Sequence, residues 1–332
     1  MTSTTSRAEH SMLVTSPGSD TGARETCDRT SISAAYLQVG TYRARVRGPT
    51  LRAMLTVVFG ASGNVGRHVA AELNSVGAQI RLTSRNPREA MLPRAADVVT
   101  ADLDHPETLQ AALDGAHKVF LYANPIGIDG FVAAAESAGV QHVVLLSSVA
   151  VRDLDPASDP TAWMHARVES ALEASNLAWT FIRPGMFATN TLWSWQRPIR
   201  EKDAVRLPYP DAQTAPVHEK DVAAIAAAAL LDPIHRGHAY VVTGPETLTL
   251  RRQVQHIGEA LGRDIVIEES SPDQAHAELL ETLPPFVAEA ILDGWKAAAE
   301  APPAATTPVT NILGTPARTF AQWATDHAAD FR

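Results

Sequence analysis

The chain has 332 residues and a formal net charge of −9, with 45% hydrophobic and 20% charged residues, which is typical of an ordinary globular protein. Because the chain is acidic and has no long lysine or arginine run, we do not expect it to bind nucleic acid. The single cysteine, Cys27, excludes an internal disulfide, and the histidines lack the spacing of a metal site. No apolar run reaches the roughly 20 residues that span a bilayer, so no membrane association is expected.

The first 53 residues differ in composition from the rest of the chain. They are rich in Ser and Thr and have no periodic apolar pattern, so they predict a disordered extension or a wrongly assigned start, with Met54 directly before the first strand. Their excess of arginine also leaves a transit-like leader open. They lack the apolar core of a secretory signal, and we expect a cytoplasmic protein.

From Leu55 onward, short apolar runs alternate with helical stretches, which is typical of a parallel sheet with crossover helices. The predicted strands are LTVVFG, QIRLTS, DVVTAD, HKVFLYA, VQHVVLLSS and AWTFIRPG. The predicted helices are NVGRHVAAELNSVG, PETLQAALDG, FVAAAESAG and ARVESALEASN. The first of these helices has its apolar residues on one stripe, formed by Val65, Val69, Leu73 and Val76. Residues 54–186 thus predict an α/β fold with a doubly wound, Rossmann-type parallel sheet.

The alternation is looser in residues 187–332. This part predicts a smaller lobe of mixed strands and helices, which would cover the carboxyl edge of the sheet and bind the substrate. The stretch APVHEKDVAAIAAAALLD predicts a small strand and then a helix capped by Asp221. HAYVV and DIVIEE predict further strands of this lobe, and Pro284 and Pro285 separate two helices.

The most specific motif is G-x-x-G-x-x-G, formed by Gly60, Gly63 and Gly66 between the first strand and the first helix. Glycine is needed where the backbone turns tightly towards a pyrophosphate and where a helix packs close to a strand. The N-terminus of the helix then offers free N–H groups to the phosphates. The motif predicts a dinucleotide site formed by residues of this turn: Gly60, Ala61, Ser62, Gly63, Asn64, Val65 and Gly66.

The end of the second strand selects between NADH and NADPH. Enzymes that use NADH usually have an acid here, which binds the ribose 2′-hydroxyl, whereas this chain has Ser84 and Arg85. An arginine can form a charge-assisted, bidentate pair with a 2′-phosphate. We therefore predict NADPH as the cofactor, with NADH less favoured.

Three further strand ends lie at the same predicted edge. Asp102 and Leu103 follow the third strand and are expected near the adenine, although Asp102 could equally be a helix N-cap. Ala123 and Asn124, at the end of the fourth strand, are expected beside the nicotinamide ribose. Ser147 and Ser148, at the end of the fifth strand, are candidate catalytic residues.

Several stretches together resemble the NmrA-like branch of the atypical short-chain dehydrogenases/reductases, especially the bacterial NAD(P)H-dependent quinone and azo reductases. They are GASGNVG, TSRNP, ADL, AGVQHVVLLSS, WMHARVESALEASNLAWTFIRPGMFATN, VHEKDVAA and the closing GTPARTFAQWATDHAADF. The resemblance extends from about Leu55 to the end of the chain. It implies a Rossmann cofactor lobe, NADPH binding and a hydrophobic substrate cleft beside the C-terminal lobe. Some members reduce quinones, azo dyes or ketones of secondary metabolism, and others only sense the dinucleotide.

The stretch TAWMHARVESAL departs from the wider superfamily, whose members usually have Tyr-x-x-x-Lys here. Thr161 and His165 fill these positions in one register, and Trp163 and Arg167 fill them in the other. Without the tyrosine and lysine, epimerase or ordinary alcohol dehydrogenase chemistry is not expected. In the first register His165 replaces the lysine, where it could bind a ribose hydroxyl or carry a proton near pH 7.

The sequence therefore predicts an NADPH-dependent reductase of a flat, apolar acceptor: a quinone, an aromatic or polyketide ketone, an enone, an imine or an azo compound. Met186, Phe187 and Trp193 are the candidate substrate residues, because aromatic and apolar side chains offer a large area to a planar ligand. The alternative is a non-catalytic NAD(P) sensor that acts through a protein partner. Either protein would be a monomer or a homodimer.

Overall fold

The computed structural model describes residues 54–87, 92 and 96–332, together with the backbone of two short strands, β1 (Tyr36–Val39) and β2 (Tyr42–Arg45), which pair antiparallel. Apart from these strands, the extension predicted over residues 1–53 lies outside the described residues. None of the helices in the described residues is both long and apolar enough to cross a membrane.

The centre of the fold is a sheet of seven parallel strands. They are β3 (Leu55–Val58), β4 (Ile80–Ser84), β5 (Asp97–Thr100), β6 (Ala116–Tyr122), β7 (His142–Leu146), β8 (Ala178–Pro184) and β11 (His238–Val242). Their spatial order is β11-β8-β7-β6-β3-β4-β5. The strand β3, which precedes the glycine motif, lies near the middle. The predicted doubly wound sheet is confirmed.

Helices cover both faces of this sheet, because successive residues of a strand point to opposite sides. Val58 of β3 belongs to a core formed with three helices: α1 (Gly66–Ser75), α7 (Glu219–Leu231) and α11 (Pro308–Leu313). Its neighbour Val57 belongs to the opposite core, which is formed with α2 (Leu109–Leu113), α3 (Ile128–Ser137) and α5 (Pro160–Glu173). A short helix, α4 (Ala150–Asp153), follows β7.

A third core forms the smaller lobe. Its helices are α6 (Asn190–Lys202), α8 (Leu250–Leu261), α9 (Pro272–Leu280), α10 (Pro285–Glu300) and α12 (Phe320–Asp326). Two small sheets complete it, one antiparallel and one parallel. Their strands are β10 (Gln213–Thr214) with β12 (Leu248–Thr249), and β9 (Ala204–Leu207) with β13 (Val266–Glu269).

Two expectations for the second half of the chain are wrong. The strand HAYVV is not part of the smaller lobe, since β11 pairs with β8 as the edge strand of the main sheet, and α7 packs on the same sheet. The main sheet therefore extends beyond residue 186, where the sequence predicted the boundary. Asp221 does not cap α7: the N-cap is His218, whose imidazole accepts from the Lys220 N–H, while Asp221 accepts from the Arg318 backbone N–H at 2.7 Å.

Candidate cofactor and acceptor site

Two of the three glycines in the turn after β3 are required there, Gly60 by its backbone conformation and Gly66 by lack of space. Gly60 has a φ of +67°, which favours glycine, and its carbonyl accepts from the Gly63 N–H at 2.9 Å. A Cβ atom on Gly66 would lie 2.2 Å from the Gly60 carbonyl oxygen. No described side chain caps the first turn of α1. The turn therefore brings the start of α1 against the end of β3, as a phosphate cradle requires.

Tyr122, the last residue of β6, is a site residue that the sequence analysis missed. A Cβ atom on Gly60 would lie 3.0 Å from Tyr122 Cδ1, so the ring covers the glycine turn. Burial raises the pKa of the Tyr122 hydroxyl, and the positive charge of Arg85 opposes this shift. Its position at the end of the strand next to β3 was the available signal, because carboxyl ends of neighbouring parallel strands share one edge.

Arg85 follows the end of β4 at this edge of the sheet. Its side chain is exposed, and no residue among those described forms a hydrogen bond or ion pair with the guanidinium. The neighbouring Ser84 hydroxyl accepts from the Asn86 N–H at 3.2 Å and thereby shapes the turn. The guanidinium is thus available to an anionic ligand near Tyr122.

The loops after β5 and β6 are joined through Asn124. Its amide nitrogen donates to Asp104 Oδ1 at 2.9 Å, and its carbonyl oxygen accepts from the Gly127 N–H at 2.9 Å. The predicted residues Asp102, Leu103, Ala123 and Asn124 therefore lie in two adjoining loops. Asp102 is not a helix N-cap, because its carboxylate accepts from the N–H of Asp104 within its own loop.

Ser147, directly after β7, is hydrogen-bonded to a buried carboxylate. Its side chain is only 3% exposed, and its hydroxyl donates to Glu169 Oε1 at 2.5 Å. Glu169 is also paired with Arg183, whose Nη2 donates to Oε2 at 2.5 Å. The one hydroxyl hydrogen of Ser147 is therefore not available to an acceptor, which argues against the predicted catalytic role of this residue. Ser148 is half-buried, and its hydroxyl accepts from the Ala150 N–H at 3.2 Å.

His165 lies on α5, one turn before Glu169. Its Nδ1 is buried and has no hydrogen-bond partner among the described residues. Burial lowers the pKa of the imidazole, and the negative charge of Glu169 opposes the shift only in part. His165 is therefore neutral near pH 7, which argues against the predicted proton carrier and leaves the hydrogen bond to a ribose hydroxyl as a prediction.

The three candidate substrate residues do not come together. Met186 and Phe187 are half-buried and follow β8 after Gly185; the Met186 carbonyl accepts from the Val217 N–H at 2.8 Å. Trp193 is 56% exposed and lines a groove between α6, α9 and α10, to which Trp195 and Trp295 also contribute. None of the predicted cofactor residues lines that groove. Met186 and Phe187 thus remain candidates for the acceptor cleft, and Trp193 belongs to a different surface.

The side chains of this edge fit a dinucleotide. The glycine turn is a cradle that a Cβ atom would fill, Arg85 is unpaired among the described residues, and the buried Nδ1 of His165 is without a partner. No group of three or more potential metal ligands was found in the described part of the chain.

Comparison with known proteins agrees with this geometry. Residues 60–233 match a family described as NAD(P)H-binding. The chain is 39% identical over 282 residues to the (4-alkanoyl-5-oxo-2,5-dihydrofuran-3-yl)methyl phosphate reductase of Streptomyces griseus subsp. griseus. The match covers 83% of this chain and 99% of the relative. It is 31% identical over 290 residues to the NAD(P)H azoreductase of Xenophilus azovorans, with 83% and 99% covered. Among solved structures, the NADPH-dependent quinone oxidoreductase QOR2 of Escherichia coli has a TM-score of 0.71 and 25% identity, over 82% of this chain and 99% of that one.

Proposed function

The chain belongs to the NAD(P)H-binding, NmrA-like reductases, and we propose that it transfers a hydride from NADPH to a planar acceptor whose reduced form delocalises the new negative charge. Bound NADPH supplies the hydride. The residues of the chain bind and orient the cofactor and the acceptor. The resemblance stated from the sequence is confirmed at the level of an NAD(P)H-dependent oxidoreductase.

The preference for NADPH rests on Arg85. The guanidinium is exposed at the end of β4, beside the glycine turn, and has no partner among the described residues. A 2′-phosphate would gain a charge-assisted bidentate hydrogen bond there, whereas NADH has only a hydroxyl to offer.

The choice of acceptor rests on the state of four groups: Ser147 after β7, Arg183 in β8, and Glu169 and His165 on α5. The carboxylate of Glu169 is held by Arg183 and accepts a hydrogen bond from the Ser147 hydroxyl, while burial lowers the pKa of the His165 imidazole and keeps it neutral near pH 7. Ser147 and His165 are therefore not ready acids, and the Ser148 hydroxyl, which accepts from the Ala150 N–H, has no activating partner among the described residues. A simple ketone becomes an alkoxide on hydride addition and needs a positioned proton donor. A quinone or a conjugated alkene becomes a delocalised anion and needs much less help.

The name of the Streptomyces relative indicates which conjugated acceptor to test first. The compound in that name has a ring C=C bond conjugated with both the lactone carbonyl and the alkanoyl carbonyl. Hydride addition at the β carbon would spread the charge over two carbonyl oxygens, and water could then protonate the carbon between them. We infer that acylated butenolides and related enones of secondary metabolism are the favoured class. Quinones come next, then aromatic ketones, imines and azo compounds.

The test measures NADPH oxidation by the full chain with a panel of acceptors. The reaction is monitored through the loss of NADPH absorbance at 340 nm. The panel contains a 2-acylbutenolide, a naphthoquinone and cyclohexanone, with heat-denatured protein as the background control. We expect turnover with the first two and none with cyclohexanone. Equal rates with cyclohexanone would contradict the acceptor class. Tight NADPH binding without oxidation by any acceptor would instead support the sensor.

A further inference from the structure

We propose that Glu169 and Arg183 are positioning residues, which fix the rotation of α5 about its axis and thereby place His165 against the nicotinamide end of the cofactor. This inference rests on the proposed function, because it concerns the same cofactor. The Glu169–Arg183 pair itself would contact neither cofactor nor acceptor. It acts through His165, one helical turn away.

The contact joins three elements that are distant in sequence. Arg183, the second-last residue of β8, donates from Nε to Glu169 Oε1 at 2.9 Å and from Nη2 to Oε2 at 2.5 Å. Ser147, directly after β7, donates to the same Oε1 at 2.5 Å. A bidentate fork fixes the plane of the carboxylate as well as its position. The side chain of Glu169 is thus fixed to the ends of two neighbouring strands.

Stability alone does not explain a charged pair at this place. Glu169 is only 4% exposed, and removing a carboxylate from water costs free energy that an ion pair often fails to recover. Apolar residues of similar volume would pack there at equal or lower cost. What the charged pair adds is direction, since apolar contacts are not directional and the bidentate fork is.

α5 needs such a directional contact. Its buried residues are Ala162, Val168, Glu169 and Leu172, so only two of them are large and apolar. Both of these lie in the second half of the helix, beyond His165. Apolar packing therefore orients the N-terminal half of α5 less firmly than its C-terminal half, and Glu169 supplies a directional contact one turn from His165.

The consequence for His165 follows from helix geometry. His165 and Glu169 are four residues apart and lie on one face of α5. The buried, unpartnered Nδ1 of His165 needs a hydrogen-bond partner, and the carboxyl edge of the sheet is where a ribose hydroxyl would supply one. A rotation of α5 by one residue, about 100°, would carry the imidazole away from that position.

The test is a mutant cycle on NADPH binding, which needs no acceptor. The proteins are wild type, His165→Ala, the double variant Glu169→Met/Arg183→Met, and the triple variant that combines all three changes. The methionines replace both charges together, so no single buried charge is left behind. Dissociation constants come from the fluorescence of bound NADPH, and melting temperatures show whether each variant is folded. Asp129→Asn is the control, because it weakens the exposed pair that α5 makes through Arg167.

We expect the double variant to melt close to wild type and to bind NADPH 3-fold to 10-fold more weakly. Adding His165→Ala to it should weaken binding no further, because the imidazole is already misplaced, and Asp129→Asn should bind as wild type does. Wild-type affinity in the double variant, or losses that multiply in the triple variant, would overturn the inference. If the double variant does not fold, Arg183→Lys takes its place in the cycle, and its NADPH dissociation constant is compared in the same way. Lysine keeps the positive charge but cannot form the bidentate hydrogen bond. A protein that binds NADPH but oxidises it with none of the acceptors would refute the proposed function. The binding constants of this cycle could still be compared.

Discussion

Gly66 lies so close to Gly60 that a Cβ atom on Gly66 would be 2.2 Å from the Gly60 carbonyl oxygen. The contact involves backbone on one side, so neither partner can move aside cheaply. It brings the first N–H groups of α1 to the turn where the cofactor phosphates are expected.

Gly66→Ala should therefore weaken NADPH binding by at least 10-fold and lower the free energy of unfolding by about 1–3 kcal/mol, the usual cost of overpacking. Isothermal titration and urea unfolding measure the two effects. Gly294→Ala is the control, because Gly294 also lies in a helix, α10, but an added Cβ meets nothing within 4 Å there. Wild-type affinity in Gly66→Ala would show that the turn does not hold the phosphates.

Arg85→Ala should reduce the preference for NADPH over NADH. A hydrogen bond to a charged group contributes roughly 1.5–3 kcal/mol, so the NADPH dissociation constant should rise about 10-fold to 100-fold while that of NADH stays nearly constant. Arg236→Ala, next to the amino end of β11 on the opposite edge of the sheet, should change neither constant. An unchanged ratio of the two constants in Arg85→Ala would refute the assignment of Arg85.

His165→Ala should weaken NADPH binding about 3-fold to 10-fold, because it removes one hydrogen bond worth about 0.5–1.5 kcal/mol, and turnover should slow with it. Because burial lowers the pKa of His165 below its ordinary 6.5, the imidazole is neutral across pH 7–8, and turnover should be nearly flat with pH in that range. His165→Gln should recover part of the loss, since an amide can still bind a hydroxyl. Complete loss of turnover at unchanged NADPH affinity would instead make His165 the essential proton donor.

The C-terminal segment provides a prediction for stability against pH. His327 Nε2 lies 2.8 Å from Glu219 Oε1, and its Nδ1 lies 2.7 Å from Asp330 Oδ2. Burial alone would lower the pKa of His327, but its hydrogen bonds to these two carboxylates raise it above 6.5. Since the folded pKa exceeds the unfolded one, the added stability is complete below about pH 6.5 and is lost as the pH rises through the folded pKa.

His327→Gln should accordingly lower the free energy of unfolding by about 1–3 kcal/mol at pH 6, and the difference from wild type should shrink towards pH 9. Urea unfolding at several pH values measures it. The exposed His238, changed to Gln, should produce no such trend. A difference that stays constant from pH 6 to pH 9 would mean that His327 does not carry the positive charge in the folded protein.

The local pattern of the sequence was sufficient for most of the sheet. Strands β3 to β8 and the glycine turn were predicted because apolar runs, helical periodicity and glycine spacing depend on neighbouring residues only. The place of β11 was not predicted, because its alternation identifies a strand and does not say which sheet it joins. The pairing of Glu169 with Arg183 connects different elements, and a single sequence contains no signal for it.

The tryptophans of α6 show a second limit of the sequence analysis. Trp193 and Trp195 are two residues apart, so they lie about 200° apart around the helix and point to different sides. Trp195 is 1% exposed and belongs to the core of the smaller lobe, whereas Trp193 is 56% exposed. Residue type alone grouped Trp193 with Met186 and Phe187 as substrate residues, whereas the helix turns Trp193 to a different surface.

The proposed hydride transfer to a conjugated acceptor is tested most directly by isotope transfer. NADPH that carries deuterium at both C4 positions of the nicotinamide is incubated with the full chain and a 2-acylbutenolide, and the product is analysed by mass spectrometry and NMR. We predict one deuterium at the β carbon of the former C=C bond, and no deuterated alcohol when cyclohexanone replaces the butenolide. A product without deuterium at that carbon, or deuterated cyclohexanol formed at a similar rate, would contradict the account.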